Sequence, residues 1–248
     1  MSVLTLRLAG PLQSWGASAR FARRTTETAP TKSGVTGLLA AALGRDRSAD
    51  LSDLAALRFA VRIDQPGTRL RDFQTAHHAD TDKAMPVSER FYLADAVFVA
   101  AVAGDDDLVR KLHAAVRAPV YLPYLGRRSC PPQGPVDLGV RDAGDPVEAL
   151  KAEEWQAFEW YRQQRRRDPL VTLTILGEST ASSGLGDTLR DQPVSFDPRH
   201  RRYALRSIVS TSVDVPNPRF SPPVPNRRTP VPVPRHEPEA LLSPMDGP

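Results

Sequence analysis

The stretch PTKSGVTGLLAAALG, residues 30–44, reads as one helix with a single apolar stripe. Val35, Leu38, Leu39, Ala42 and Leu43 stand at i, i+3, i+4, i+7 and i+8. Thr31 or Ser33 caps its start, and Gly44 stands where a C-terminal glycine belongs. Outward from this helix, strands are expected on both sides. Residues 3–8 alternate, with Leu4, Leu6 and Leu8 on one face and Val3, Thr5 and Arg7 on the other, the pattern of a half-buried strand. Residues 59–64 alternate again, with Phe59, Val61 and Ile63 inward. The apolar run at 94–103 predicts a buried strand. A helix follows from Asp105 to about Arg117, its three leading aspartates favoured by the helix dipole. One more strand is expected between residues 120 and 140. The order β-α-β-β-α-β predicts a ferredoxin-like sheet with helices on one face and the other face or an edge left for a ligand.

Residues 69–93 interrupt this pattern. Two strand-like runs flank a polar stretch carrying His77, His78 and Met85, which predicts a protruding hairpin. In the second half, residues 148–167 read as a helix with Trp155, Phe158 and Tyr161 as anchors. Residues 170–176 and 203–213 read as strands, the latter with Tyr203, Leu205, Val209 and Val213 on one side. The expected organisation is an α+β chain: a ferredoxin-like domain over 1–140 with its hairpin at about 70–93, and a small β-rich domain over 141–215. A tail over 216–248 holds 11 of the 24 prolines and is expected to be extended or disordered.

The chain has 33 basic and 29 acidic residues, a net charge of only +4. Its cations are nonetheless clustered. Residues 1–45 hold six basic groups against Glu27 alone, and residues 117–130 and 199–206 hold arginines without any acid. Acid-free basic patches in a nearly neutral chain point to a polyanion partner. The single cysteine, Cys130, excludes an intramolecular disulfide and a cysteine-based zinc cluster. No run is apolar enough for a membrane helix, and a cytoplasmic protein without membrane contact is expected.

Past the first strand, Gln13, Ser14 and Trp15 precede Arg20, Arg23 and Arg24. Trp15 either stacks on a base, with the arginines on phosphates, or packs under the loop. Thr31, Lys32 and Ser33 lie at a helix N-terminus, where free N–H groups favour an anion. The segment is not a Walker A loop, because Thr31 stands where that motif needs glycine. Arg127, Arg128 and Ser129 follow Gly126 in a proline-bounded turn, either a phosphate grip or a solvated basic turn. Neither the histidines nor the carboxylates form a recognisable catalytic or two-metal arrangement, and no cofactor is called for.

Several segments carry a resemblance: LRLAGPLQSWG at 6–16, ARF at 19–21, PTKSGVTGLLAAALG at 30–44, DFQTAHH at 72–78, SERFYLADAVFVAAV at 88–102 and YLGRRSCPP at 124–132. The chain resembles the CasD family, the RAMP subunit that binds the crRNA 5′ handle in the type I-E CRISPR Cascade complex. The resemblance implies a ferredoxin-like (RRM-like) domain, a β-hairpin thumb at the handle–spacer junction and a small C-terminal β domain. It implies no catalytic role, a separate endonuclease (CasE) being the one that cuts. It also implies contacts with the backbone subunit CasC, with the large subunit CasA and, through the complex, with target DNA. Matching handle-binding positions are Gln13, Ser14, Trp15, Arg20, Thr31, Lys32, Ser33, Arg127, Arg128 and Ser129; Arg23, Arg24 and Arg90 complete the RNA-binding candidates. His77, His78 and Met85 fall on the thumb. Related type I-C subunits are processing nucleases, so a metal-independent endoribonuclease is the alternative.

Overall fold

The computed structural model describes residues 1–17, 23–179 and 186–222. In chain order the elements are β1 (Ser2–Ala9), β2 (Leu12–Gln13), β3 (Arg23–Arg24), α1 (Lys32–Ala42), α2 (Ser52–Ala55), β4 (Arg58–Gln65), β5 (Thr68–Gln74), β6 (Ser88–Ala94), β7 (Val97–Gly104), α3 (Asp106–Arg117), β8 (Asp137–Arg141), α4 (Pro146–Ala152), α5 (Glu159–Gln164), β9 (Leu170–Glu178), β10 (Asp187–Ser195) and β11 (Arg202–Pro216). The chain is mixed α+β and strand-rich. Two sheets carry it: seven strands in the order β10-β11-β9-β4-β7-β1-β8, and a smaller sheet in which β6 pairs with β2, β3 and β5.

Within the large sheet, β7 lies between β4 and β1, and β8 pairs with the far side of β1, every pairing antiparallel. The helices form where the sequence pattern places them. Thr31 caps α1 by accepting the Gly34 N–H at 3.2 Å. Asp105 caps α3, its carboxylate accepting from Asp107 and Leu108. Leu4, Leu6 and Leu8 of β1 and Phe98, Ala100 and Val102 of β7 meet Val35, Leu38 and Leu39 of α1 and Val109 and Leu112 of α3 in the main core. Each fully buried leucine contributes about 1.5–3 kcal/mol.

The large sheet runs on across the expected division at residue 140. Strands β9, β10 and β11 continue the same sheet, β9 pairing with β4 over Ala60–Ile63. The reverse sheet face is not open either. Val3, Ala60, Val99 and Ala101 are covered by Ala149 and Leu150 of α4. The small side chains on these strands let α4 lie close, so β1 and β4 are buried on both faces. The expected alternation of β11 also differs: Leu205 faces out at 59 % exposure, whereas Arg206 is buried. The tail begins later than expected, since Pro216 is still paired with Leu170 and Asn217 is buried.

The helix expected over 148–167 breaks into α4 and α5, and Arg62 is the reason. This fully buried guanidinium donates Nη1 to the Leu150 and Glu153 carbonyls at 2.6 Å each and Nη2 to the Glu154 carbonyl at 2.6 Å. Its Nε and Nη2 hold the Asp64 carboxylate at 2.7 and 2.9 Å. All five N–H donors are used. Carbonyls that would receive helical N–H groups face Arg62 instead, and Glu153 turns extended (φ −76°, ψ 137°). Asp64 also accepts the Gln156 N–H at 2.6 Å, fixing the segment between α4 and α5.

Close packing also fixes the start of α1. Trp15 is fully buried, and a Cβ on Gly34 would lie 2.8 Å from its ring. Gly126, at φ +83°, brings its backbone so near that a Cβ would lie 1.8 Å from the Ser14 carbonyl oxygen.

Two consequences are measurable by thermal or chemical denaturation. Arg62→Ala strands the Asp64 charge and three carbonyls, and it lowers stability by about 3–5 kcal/mol. Arg62→Lys does not restore it, lacking the planar fork, whereas Arg110→Ala, which breaks an exposed pair with Asp107, costs less than about 1 kcal/mol. Gly126→Ala is both sterically and conformationally excluded, so a drop in melting temperature accompanied by loosening of the 124–130 loop is expected, seen as faster amide exchange there.

Candidate nucleic-acid interface

Six of the anticipated contact residues are framework. Gln13 is buried and donates Nε2 to the carbonyls of Leu8 (3.0 Å) and Ala96 (2.8 Å), while its Oε1 accepts the Trp15 indole N–H at 3.0 Å. Ser14 Oγ donates to the Phe91 carbonyl at 3.0 Å. Trp15 therefore packs under the loop and is no base platform. Thr31, Lys32 and Ser33 are likewise buried. The anion at the N-terminus of α1 is the protein's own: the Lys32 backbone N–H donates to Asp191 Oδ2 at 2.8 Å, and Arg206 grips the same carboxylate at 2.7 and 2.8 Å. Lys32 Nζ pairs with Glu178 at 2.8 Å. Sequence spacing marks a helix start as anion-seeking; it does not reveal that a carboxylate 159 positions away already sits there.

The remaining candidates converge at the base of the β5–β6 hairpin. Arg23 and Arg24 form β3, which runs parallel to β6 with Arg23 opposite Glu89 and Arg24 opposite Arg90. Alternation then gives two faces. On one, the guanidinium groups of Arg23 and Arg69 lie 5.5 and 5.6 Å from the centre of the Phe91 ring, and Arg71 lies 4.5 Å from Phe73. Glu89 partly compensates this face, bridging Arg71 at 2.6 Å and Arg23 at 3.9 Å. On the other face stand Arg24, Arg90 and the buried Tyr92, with Arg127 4.8 Å above the Tyr92 ring. Arg127 donates Nη2 to the Arg24 carbonyl at 2.8 Å, and Arg128 and Ser129 are exposed beside it. Among the described residues, no carboxylate lies within ion-pair distance of Arg24, Arg90, Arg127 or Arg128. Arg90 Nε and Arg127 Nη1 are buried without a hydrogen-bond partner.

Guanidinium planes held over aromatic rings keep an outer face free for a base, while their edge N–H groups reach phosphates. The sequence reading missed Arg69, Arg71, Phe73, Phe91 and Tyr92. Their signal was present: in TRLRDFQ, Arg69, Arg71 and Phe73 alternate and so share one strand face.

The hairpin tip carries the other candidates. His77 bridges Ala84, and its Nδ1 sits 2.9 Å from the Asp82 carbonyl; His78 Nδ1 accepts the Asp80 N–H at 3.3 Å. Both imidazoles thus shape the turn. Met85 is exposed at its flank. Cys130 is buried, and burial pushes its thiol above the ordinary range. Arg20 lies outside the described residues. No helix among the described residues is long and apolar enough to cross a membrane, and none of their His, Cys, Asp and Glu side chains form a group of three suited to a metal ion.

A family model described as CRISPR-associated protein (Cas_Cas5) matches residues 3–209. The CRISPR system Cascade subunit CasD of Escherichia coli (strain K12) is 37% identical over 237 residues, 86% of this chain and 98% of that protein. A solved chain described as "Crystal structure of Cas protein" is similar at TM-score 0.67 and 37% identity, covering 89% of this chain and 100% of that one. Another, from a "CRISPR RNA-guided surveillance complex", reaches TM-score 0.71 at 34% identity, covering 89% and 94%. The interface built from β3, the β5–β6 base and the 124–130 loop therefore stands in a protein that belongs to the CRISPR-associated Cas5 family.

Proposed function

We propose that this chain is the subunit of a type I-E CRISPR Cascade surveillance complex that captures the 5′ handle of crRNA, without itself cutting RNA. The carrying observation is the uncompensated arginine–aromatic cluster of Arg24, Arg90, Arg127, Arg128 and Tyr92 at the hairpin base. Its chemistry suits a bent single strand whose bases are splayed and whose phosphates face cations. The relatives named for Cascade and for an RNA-guided complex support the same reading. The strand order β4-β7-β1-β8 with crossovers through α1 and α3 supports a ferredoxin-like assignment for the first half. In this reading the hairpin is the thumb that sets the guide's register, and CasC and CasA are the neighbouring subunits.

The non-catalytic assignment draws support from His77 and His78, which are engaged within the hairpin tip and lie apart in sequence and fold from the arginine cluster. Incubation with a CRISPR repeat hairpin in EDTA tests it. Intact RNA is expected; specific cleavage that disappears in His77→Ala/His78→Ala overturns the assignment in favour of a metal-independent endoribonuclease.

Handle binding itself is tested by salt titration. Each phosphate contact on a single strand contributes about −0.7 to the slope of log K against log salt, so Arg24→Ala/Arg128→Ala flattens it by about 1.4. Lys32→Met, in contrast, is expected to lower stability and leave that slope unchanged, because Lys32 is engaged with Glu178.

A further inference from the structure

The reverse side of the large sheet carries a second aromatic and cationic assembly that the hairpin site does not use. It begins in the core. Trp155, 2 % exposed, meets Tyr161 edge-on at 6.0 Å, and Tyr161 meets Trp160 edge-on at 5.6 Å and 89°. These three rings lead from the core to the surface, where Trp160 is 55 % exposed. The mount is rigid: Trp155 Nε1 donates to the Asp64 carbonyl at 2.9 Å, and the Phe158 N–H donates to Gln65 Oε1 at 3.2 Å. An indole this exposed on a fixed support is a flat apolar platform that no described residue covers.

Three arginines follow it, Arg165, Arg166 and Arg167, all exposed. Arg165 lies 5.2 Å from the Tyr161 ring centre. Cations after a helix end commonly serve its free carbonyls. Here the last carbonyls of α5 have backbone donors: those of Tyr161 and Arg162 accept the Arg165 N–H at 3.2 Å each, and that of Gln163 accepts the Arg166 N–H at 3.2 Å. The acid nearest on the helix, Glu159, is bridged by Arg219 at 2.5 Å. Among the described residues no carboxylate lies within ion-pair distance of Arg165, Arg166 or Arg167, although Arg45, Arg58, Arg141 and Arg219 are all so paired.

We propose that Trp160 with Arg165, Arg166 and Arg167 forms a second site for single-stranded nucleic acid, separate from the hairpin base. A base stacks on the indole, and the three guanidinium groups hold the flanking phosphates. The exposed indole selects a strand with unstacked bases over a duplex, whose bases are already covered. An acidic peptide would satisfy the arginines but would leave the indole without a flat partner. The site does not depend on the handle reading.

The three tryptophans make it directly observable, since Trp15 and Trp155 are 0 % and 2 % exposed and only Trp160 can report a stacked base. The full chain is titrated with a ten-nucleotide oligothymidylate while tryptophan emission is followed. Quenching is expected, with a salt slope near −2 for three phosphate contacts. Arg165→Ala/Arg166→Ala/Arg167→Ala abolishes the quenching at moderate salt. Trp160→Ala, read by anisotropy of a labelled oligonucleotide in the Arg24→Ala/Arg128→Ala background, weakens binding about tenfold. Quenching that persists in the Arg24→Ala/Arg128→Ala variant separates this site from the hairpin base. Unchanged emission on saturation with the oligonucleotide, quenching lost in that variant, or equal quenching by a ten-base-pair duplex overturns the proposal.

Discussion

The fold turns on one buried guanidinium. Arg62 sits on the central strand β4, between the sheet and the chain that crosses its reverse face. An unpaired charge there would be prohibitive, so every donor must find an acceptor. Asp64 supplies two, and carbonyls at 150, 153 and 154 supply the rest. Meeting that requirement ends α4, extends the following segment and brings Trp155 down onto the end of β4. The second half of the chain is thereby tied to the first by polar bonds, as well as by the strands it adds to the sheet. The aromatic mount at α5 inherits its position from the same contact.

The parts of the fold with regular apolar spacing were legible in the sequence. α1 and α3 formed where their stripes and caps predicted, and the hairpin bounded by Gly67 and Ala94 occupies its expected place. What the sequence concealed has one common cause: long-range polar pairing. Arg62 looks like the outward residue of an alternating strand, and only the cover provided by α4 makes it central. Arg206 closes the acid-free basic run at 199–206, yet it is buried against Asp191. Leu205, grouped with Tyr203, Val209 and Val213 on one side of the strand, faces out because its neighbour Arg206 takes the inner position. Apolar periodicity assumes that the apolar neighbour is the buried one, and on β11 that assumption reverses.

The candidate interface was half legible for a related reason. Arg23, Arg24, Arg127 and Arg128 emerged from local charge, and the structure brings them together across the β3–β6 pairing. Gln13, Ser14 and Trp15 were visible as a motif but belong to the support beneath. Trp15 sits against Gly34, while Gly126 closes on the Ser14 backbone, holding the arginine loop against the hairpin. A motif can therefore mark an interface while its own side chains stay beneath it. Residue identity gives the neighbourhood; burial distinguishes the contact layer from its foundation.

The carboxylate of Asp191 at the head of α1 has a further consequence. Because that seat is filled from within and closed off from water, mobile ions barely reach it. The cationic surface at the hairpin is, by contrast, open to them. Ionic strength should consequently act on the two places unequally, screening the arginines at the hairpin while the scaffold keeps its shape.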